Sequence, residues 1–312
     1  MSASGETAPF RLVPLGLRAR RKRWGAGCDE PDAQLLWPGV RAFLSQWLAG
    51  DQTIVVAALA DDGRVAARAL FSRSVVRPDL WFYGNLVTHP EFRRRGLGLA
   101  VTRLGLETVR ARGARCSACY IAEDNLASQA LNEQVGCRAL SYVRLRLCAR
   151  DGGPPAGTIL LSAPETDVRD LPGSGPLLEA LGPAEGREVV LEEMVVRRPL
   201  LPWKSPGSAL ARVERDGDLL ALVRCGRQVA NVIASPGLAG RDLARAFAAV
   251  GTLLRSRFGV GQLFAFAPRA AIVGLDEPFD RIYWNPDVRS GAPASPPGPS
   301  GPAAALPERR GS

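Results

Sequence analysis

The chain has 312 residues and a mass of 33.3 kDa, which is enough for two domains of about 150 residues each. Hydrophobic residues make up 46% and charged residues 23%, and this balance excludes wholesale disorder. No run approaches the ~20 apolar residues of a membrane-spanning helix, and the N-terminal residues lack the apolar stretch of a secretory signal. Six cysteines are too few for a disulfide scaffold. We therefore expect a cytoplasmic protein without a membrane partner.

The charge balance narrows the ligand class. Forty Lys and Arg against 31 Asp and Glu give a net charge of +9, which attracts polyanions such as nucleotides, CoA and nucleic acids. The densest cluster, Arg18–Arg23, is either a nucleic-acid or localisation patch or a solvated basic loop. The sequence argues against nucleic acid, because no zinc-finger spacing or aromatic RNA-binding motif accompanies the cluster. With a single histidine, His89, no multi-histidine metal site is available, and no metal is expected.

Two breaks divide the chain. The segment Arg150–Gly157 is rich in Gly and Pro and predicts a linker, and residues 290–312 are a Pro/Gly-rich segment that predicts a disordered tail. The predicted domains are therefore residues 1–150 and residues 158–289.

The first unit predicts an α/β fold. An Asp62-Gly63 turn between two β-rich runs predicts a hairpin, and helical patterns follow later in the unit. Strands that first meander and then alternate with helices indicate a mixed sheet flanked by helices. In chain order the predicted elements are a helix from Pro38 to Gly50, strands Thr53–Leu59, Val65–Phe71 and Leu80–Thr88, a helix Gly96–Arg112, a strand Ala114–Ile121, a helix Leu126–Val135 and a strand Ala139–Cys148.

The most informative motif is the run Arg93-Arg94-Arg95-Gly96-Leu97-Gly98-Leu99, which leads from a strand directly into a helix. Glycines let the backbone approach a ligand closely. The N–H groups of the first helical turn have no partner within the helix and attract an anion. A pyrophosphate fits such a turn, and the arginines would neutralise it. The run is neither a Walker loop nor a Rossmann fingerprint.

A second motif runs from Asn125 to Cys137 and begins as a helix that Asn125 would cap. Together the two motifs resemble the GNAT acyltransferase superfamily over about Thr53 to Leu147. The second motif resembles the family's Asn-x-x-Ala-x-x-Leu-Tyr-x-x-x-Gly-Phe, except that Asn132 stands in place of the tyrosine and Cys137 in place of the phenylalanine.

The resemblance implies a GNAT-like mixed sheet and acetyl-CoA as co-substrate, with a small-molecule or peptide amine as acceptor. The preceding strand would pair its backbone with the pantetheine arm, and the loop would bind the pyrophosphate. The cofactor-binding residues that it implies are Leu86, Val87, Thr88, Arg93, Arg94, Arg95, Gly96, Leu97, Gly98, Leu99, Asn125 and Ser128.

The missing tyrosine affects catalysis. In many family members this tyrosine protonates the departing thiolate, whereas Asn132 has no titrating proton to give. A thiol of pKa ~8.5 is nevertheless a tolerable leaving group. Tyr120, five residues before Asn125, is a candidate substitute or an ordinary strand aromatic, and Tyr142 is a weaker candidate. The predicted catalytic residues are Tyr120 and Asn132.

The sequence leaves the roles of two further features open. His89 precedes the loop and is either a residue of the motif or an ordinary residue of the loop surface. Cys116 and Cys119 have metal-like or redox-like spacing, but they lie in an apolar strand and also suit buried packing.

The second unit predicts a degenerate copy of the first. Asn85–Ile121 aligns without a gap with Asn231–Ala267, and both segments have a strand, a long helix ended by Gly, and an apolar strand. In the second segment Arg93, Gly96 and Gly98 are replaced by Ala239, Asp242 and Ala244. An acidic residue would repel a pyrophosphate, so only the first copy is expected to bind CoA.

The predicted function is acetyl transfer from acetyl-CoA to an amine by direct attack on the thioester. The alternative is a catalytically idle acyl-CoA-binding or regulatory protein. The acceptor, the acyl-chain preference and the oligomeric state do not follow from the sequence.

Overall fold

The computed structural model describes residues 10–15, 53–74, 77–149, 152–153, 155–163, 167–181, 184–196, 208–226, 228–235 and 237–288. The basic cluster Arg18–Arg23, the predicted helix from Pro38 to Gly50 and the predicted tail at residues 290–312 lie outside the described residues, as does part of the predicted linker.

The described residues form twelve strands and five α-helices. The strands are β1 (Arg11–Leu15), β2 (Thr53–Leu59), β3 (Val65–Arg73), β4 (Leu80–Thr88), β5 (Cys116–Ala122), β6 (Arg138–Cys148), β7 (Thr158–Ala163), β8 (Ser208–Arg215), β9 (Asp218–Gly226), β10 (Val229–Ala234), β11 (Gln262–Pro268) and β12 (Phe279–Asn285). The helices are α1 (Leu97–Ala111), α2 (Leu126–Gln134), α3 (Ser174–Ala180), α4 (Ala184–Met194) and α5 (Gly240–Phe258). No helix among the described residues is both long enough and apolar enough to cross a lipid bilayer.

All twelve strands form one mixed sheet in the order β1-β2-β3-β4-β5-β12-β6-β11-β10-β9-β8-β7. Neighbours are antiparallel except for the β4–β5 and β10–β11 pairs, which are parallel. Read inward from either edge, the sheet shows the same succession of four antiparallel strands, a parallel fifth strand and then the last strand of the other half. The predicted mixed α/β sheet and its duplication are therefore confirmed.

The two halves exchange their last strands. β12 pairs with β5 on one side and with β6 on the other, while β6 also pairs with β11. The sheet of each half is thus completed by a strand from the other half. The domain boundaries 1–150 and 158–289 remain predictions.

The core of the first half lies between the sheet and α1. β2 has the sequence Thr-Ile-Val-Val-Ala-Ala-Leu, and six of its seven residues are buried, as in an internal strand that is covered on both faces. α1 crosses the sheet at Gly105, where a Cβ would lie 2.0 Å from an atom of the Phe71 ring. A glycine is therefore needed at this crossing.

The opposite face carries α3 and α4, and its core is shared between the halves. Leu80 of β4 and Ala118 of β5 belong to the same buried cluster as Val190 of α4 and Trp284 of β12. Helices that follow β7 in the chain therefore cover part of the sheet of the first half, and this contact creates a second wall beside β4 and β5.

Candidate functional site

A gap between β4 and β5 is the main feature of the first half. The two parallel strands pair from Leu80–Cys116 to Phe82–Ala118 and then separate, although β4 continues to Thr88 and β5 to Ala122. Beyond Phe82, the backbone groups of β4 that point away from β3 face this gap. Unpaired strand groups of this kind are ready to pair with an extended ligand.

A bulge in β4 accompanies the separation. Asn85 has a φ of +50°, and the register between β3 and β4 shifts between Arg68 and Leu70. A β-bulge bends its strand and increases the local twist. The bulge therefore turns the end of β4, which carries Leu86, Val87 and Thr88, away from β5. This stretch forms one wall of the gap, and Val87 is 39% exposed.

The loop Arg93–Leu99, called the arginine-glycine loop below, closes one end of the gap. Arg94 and Gly96 have φ values of +61° and +73°, and Gly96 serves as the left-handed cap that precedes α1. α1 therefore begins at Leu97, one residue later than predicted. The N–H groups of Leu97, Gly98 and Leu99 lie in the first helical turn, where no intrahelical carbonyl is available to them.

The three arginines are solvent-exposed but differ in their contacts. Arg93 donates from Nε to the Thr88 carbonyl at 3.4 Å, which holds it against the end of β4. Arg95 lies over the Phe92 ring at 5.7 Å, so its guanidinium is also engaged in a cation–π contact. All three supply positive charge at the N-terminus of α1, where the helix dipole adds to it.

Gly98 lies at the closest approach of α1 to the gap. A Cβ on Gly98 would lie 3.3 Å from Leu131 Cδ1 and 3.6 Å from Thr88 Oγ1. Any larger side chain at this position would therefore enter the space between β4 and α2.

Asn125 and Ser128 organise the start of α2. The Asn125 side chain accepts a hydrogen bond from the Ser128 N–H at 3.1 Å, as a helix N-cap does. The same helix carries Asn132, so this cap fixes where the Asn132 side chain enters the core.

Asn132 lies at the centre of a buried polar cluster. Its Nδ2 donates to the Ser128 carbonyl at 2.7 Å, and its Oδ1 accepts from the Cys119 thiol at 3.2 Å and from the Tyr83 hydroxyl. The Tyr83 hydroxyl also lies 3.0 Å from Cys137 Sγ. A phenol from β4 thus lies beside the residue that replaces the expected tyrosine.

Burial controls the protonation of this cluster. Loss of solvent raises the pKa of the Tyr83 hydroxyl well above its ordinary value, and the neighbouring Cys119 and Cys137 add to the effect. Burial likewise raises the pKa of the Cys119 thiol, and it raises the pKa of Cys137 to about 11. All three groups are therefore protonated at neutral pH.

Tyr120 projects from β5 on the opposite side of the sheet from Asn132. Its ring stacks with Phe82 at 6.3 Å, and the Arg144 guanidinium lies over it at 3.9 Å. The structure therefore separates the two residues that the sequence predicted to be catalytic. Burial and the nearby Glu193 carboxylate raise the pKa of the Tyr120 hydroxyl well above its ordinary value.

A polar cavity of about 490 Å³ lies beside Tyr120, between β4 and α4. The sequence did not point to its two acidic residues, Glu192 and Glu193, because they come from the second half of the chain. The only sequence signal was their adjacency near the end of a helix, Ala184–Met194. The cavity is lined by Thr53, Ser72, Arg73, Phe82, Tyr83, Tyr120, Glu192, Glu193, Val195 and Arg224.

The equivalent gap in the second half is closed. β10 and β11 pair over five residues, from Val229–Gln262 to Ile233–Phe266, and β10 ends one residue later at Ala234. Few β10 backbone groups remain to pair with a ligand, in contrast to β4.

An apolar cavity of about 290 Å³ lies where these two strands end. It is lined by Leu238, Leu243, Phe266 and the predicted weak candidate Tyr142. Among the described residues that line this cavity, none is an arginine or a lysine. The space at the end of β10 and β11 is therefore lined by apolar residues, whereas the arginine-glycine loop of the first half is basic.

The remaining candidates lie outside the gap. His89 Nδ1 is 3.8 Å from a Glu91 carboxylate oxygen, next to the loop. Cys116 donates to the Asp79 carbonyl at 3.7 Å and faces the core shared with α3 and α4, whereas Cys119 belongs to the Asn132 cluster.

Comparisons with known proteins agree with this architecture. Residues 22–137 match the model of the acetyltransferase (GNAT) family. A GCN5-related N-acetyltransferase from Sphaerobacter thermophilus superimposes with a TM-score of 0.50 at 20% identity, covering 91% of this chain and 98% of that one. A tandem GNAT protein from the clavulanic acid biosynthesis pathway gives 0.45 at 16% identity, with 88% and 98% covered. No protein of curated function is significantly similar in sequence.

Proposed function

We propose that this chain, whose residues 22–137 match the model of the acetyltransferase (GNAT) family, transfers an acetyl group from acetyl-CoA to an amine. The observation that carries the proposal is the gap between β4 and β5, which has an anion-binding helix N-terminus at one end and a buried phenol, Tyr83, along its wall.

The proposed binding mode uses charge at one end of the gap and backbone pairing along it. The first-turn N–H groups of α1 and the side chains of Arg93, Arg94 and Arg95 would hold the pyrophosphate. The backbone of Leu86–Thr88 would pair with the pantetheine amides.

The remaining predicted cofactor residues shape this site. Asn125 and Ser128 stay in the proposed site as the residues that fix the start of α2. Gly96, Leu97, Gly98 and Leu99 keep the turn narrow enough for the backbone to reach the phosphates.

The proposed chemistry is direct attack of a neutral amine on the thioester carbon, with positioning supplying much of the rate. The C–N bond forms as the C–S bond breaks, and the sulfur leaves as a thiolate. We assign the proton donor for that thiolate to Tyr83 rather than to Asn132, because Tyr83 has a protonated hydroxyl at this place and Asn132 does not. Asn132 would hold the hydroxyl in position.

The second candidate is a protein that binds acyl-CoA without turning it over. The observation that favours it is the burial of the polar cluster, since Asn132 is 3% exposed. Both candidates require acetyl-CoA to bind, but only the transferase releases CoA in the presence of an amine.

The test is calorimetric titration of acetyl-CoA into the full-length protein and into two matched variants. Gly98→Glu brings a negative charge and a side chain into the gap, and we expect no measurable binding. Ala244→Glu makes the same change at the equivalent place in the second half, and we expect unchanged affinity. Absence of binding by the wild-type protein would overturn both candidates, and equal losses in the two variants would contradict the assignment to the first half.

A further inference from the structure

The cavity beside Tyr120 opens where β4 and β5 separate. Phe82 and Tyr83 lie at the last paired position of β4 and just beyond it, and Tyr120 is the second β5 residue after the pairing stops. The cavity therefore reaches the gap from the side of the sheet opposite to α1 and α2. A molecule in this cavity would approach a thioester held in the gap from the face opposite to Asn132.

Glu193 is the acidic group best suited to meet an incoming ammonium. Its neighbour Glu192 accepts a hydrogen bond from Ser74 Oγ at 2.6 Å and is engaged there. The Glu193 carboxylate lies 3.5 Å from Asn231 Nδ2, at the limit of a hydrogen bond, and it also lies close to the Tyr120 hydroxyl. Within the part of the chain that the structure describes, no Lys or Arg forms an ion pair with Glu193. A half-buried carboxylate without a cation is a favourable partner for a charged ligand.

Three contacts hold α4 in place near Glu193. The Glu193 carbonyl accepts from Asn231 Nδ2 at 2.7 Å and from Arg224 Nε. One turn earlier, Glu188 forms an ion pair with Arg77. These contacts tie α4 to both halves of the sheet, so the Glu193 side chain is presented to the cavity from a rigid element.

Cationic groups lie in the same cavity. Arg73 is exposed at the end of β3 and uses its Nε to donate to the Pro78 carbonyl at 2.6 Å. A guanidinium has five N–H donors, which suit a carboxylate. Arg224 adds a second guanidinium to the lining. A ligand with only positive charge would meet Glu193 but would be repelled by both arginines.

We propose that this cavity binds the acceptor and that the acceptor is a zwitterion, a small molecule that carries both a primary ammonium and a carboxylate. The ammonium meets Glu193 beside the rings of Phe82 and Tyr120, and the carboxylate meets Arg73. This inference rests on the proposed acetyl transfer and names the substrate class of the same site.

Glu193 takes one proton from the ammonium, and the amine nitrogen then attacks the acetyl carbon. The C–S bond breaks, and the thiolate takes a proton from Tyr83, which water reprotonates. The new amide nitrogen loses its second proton to solvent. Glu193 then passes the proton that it took to solvent, so the products are an N-acetyl compound with a free carboxylate, CoA and one released proton.

The experiment compares amino acids with their decarboxylated counterparts in the full-length protein. CoA release is measured at saturating acetyl-CoA for a panel of α-, β- and ω-amino acids and for the matching amines without the carboxylate. We expect at least one amino acid to exceed its matching amine by about tenfold or more in kcat/KM, which corresponds to ~1.4 kcal/mol. An equal or higher rate for the amines would overturn the proposal.

Two variants test the assigned residues. Arg73→Gln should reduce that discrimination by about fivefold. Glu193→Gln should raise the KM of the amino acid by about tenfold or more and shift the pH profile of kcat/KM, without changing the affinity for acetyl-CoA. Arg103→Gln and Glu107→Gln, on the solvent-exposed side of α1, are the matched controls and should change neither value.

Ligand-observed NMR on the same proteins separates the two proposals. Amino-acid binding that is lost in Glu193→Gln, in a protein that fails to bind acetyl-CoA, would support the cavity while overturning the transferase. Acetyl-CoA binding and amine acetylation without any preference for a carboxylate would overturn the cavity assignment alone.

Discussion

At the scale of single residues, the polar cluster around Asn132 places a phenol, that of Tyr83, beside the residue that stands where the family motif has a tyrosine. The Asn132 Oδ1 accepts a hydrogen bond from the Tyr83 hydroxyl. The phenol therefore comes from β4 instead of α2. Because burial raises the pKa of Tyr83, this hydroxyl stays protonated at neutral pH and has a proton to give.

We expect Tyr83→Phe to lower kcat by about 10²–10⁴-fold, the usual contribution of a general acid. The affinity for acetyl-CoA should stay unchanged, since the phenol is not part of the proposed phosphate or pantetheine contacts. Stopped-flow measurement of CoA release and calorimetry separate the two effects. Tyr142→Phe, on β6 and away from the gap, is the matched control. An unchanged kcat in Tyr83→Phe would remove Tyr83 from the mechanism.

At the scale of elements, strand separation distinguishes the two halves more clearly than loop composition does. The loop motif and its loss in the second half were visible in the sequence, because glycine and arginine have direct local effects. The length over which β4 and β5 stay paired was not visible. Alternating burial predicts which face a residue occupies but not where two strands part.

The link between Glu123 and Arg281 fastens β12 to the end of β5. Arg281 donates to both Glu123 carboxylate oxygens, and this pairing lowers the pKa of the Glu123 carboxyl from its ordinary value of 4.5. A carboxyl whose pKa is depressed by folding stabilises the protein above its unfolded pKa, and this contribution is lost as the pH falls through the folded value.

Glu123→Gln should therefore lower the free energy of unfolding at pH 7 by about 1 kcal/mol, a value suited to a partly exposed ion pair. The difference from wild type should stay constant from pH 6 to pH 8 and shrink below about pH 4.5. Denaturant unfolding at several pH values measures it, with Glu107→Gln as the control for loss of a surface charge. A difference that persisted undiminished at pH 3 would contradict an ion-pair origin.

At the scale of the whole molecule, the exchange of β6 and β12 makes the two halves interdependent. The sequence predicted both strands of the first hairpin and the repeat in the second half, but it did not predict that the last strands cross over. The hydrophobic pattern of β12 fits a place beside β11 of its own half as well as a place beside β5 of the first half. In both arrangements β12 would meet a buried strand edge. The acidic residues of the proposed acceptor cavity were missed for the same reason, since α4 reaches the first half only across the shared core.

Buried side chains show how much each half depends on the other. Ile282, Tyr283 and Trp284 of β12 are 0%, 0% and 2% exposed, and Tyr283 belongs to the core that α1 covers. Burying each large apolar side chain contributes about 1.5–3 kcal/mol. Removal of β12 would therefore cost several kcal/mol, a large part of the 5–15 kcal/mol that typically holds a domain folded. It would also leave an edge of β5 unpaired.

Division of the chain between Gly153 and Pro154 tests this dependence. We expect fragments 1–153 and 154–312 to be insoluble or associated when each is produced alone, because each then exposes a long strand edge and an unfilled core. Produced together, they should copurify as a 1:1 complex that binds acetyl-CoA with the affinity of the intact chain, as calorimetry would measure. In that complex, Gly98→Glu in the first fragment should abolish binding, and Ala244→Glu in the second should not. A soluble, monomeric 1–153 fragment that bound acetyl-CoA by itself would show that the first half can complete its sheet without β12, and the predicted boundary at residue 150 would then mark an independent domain.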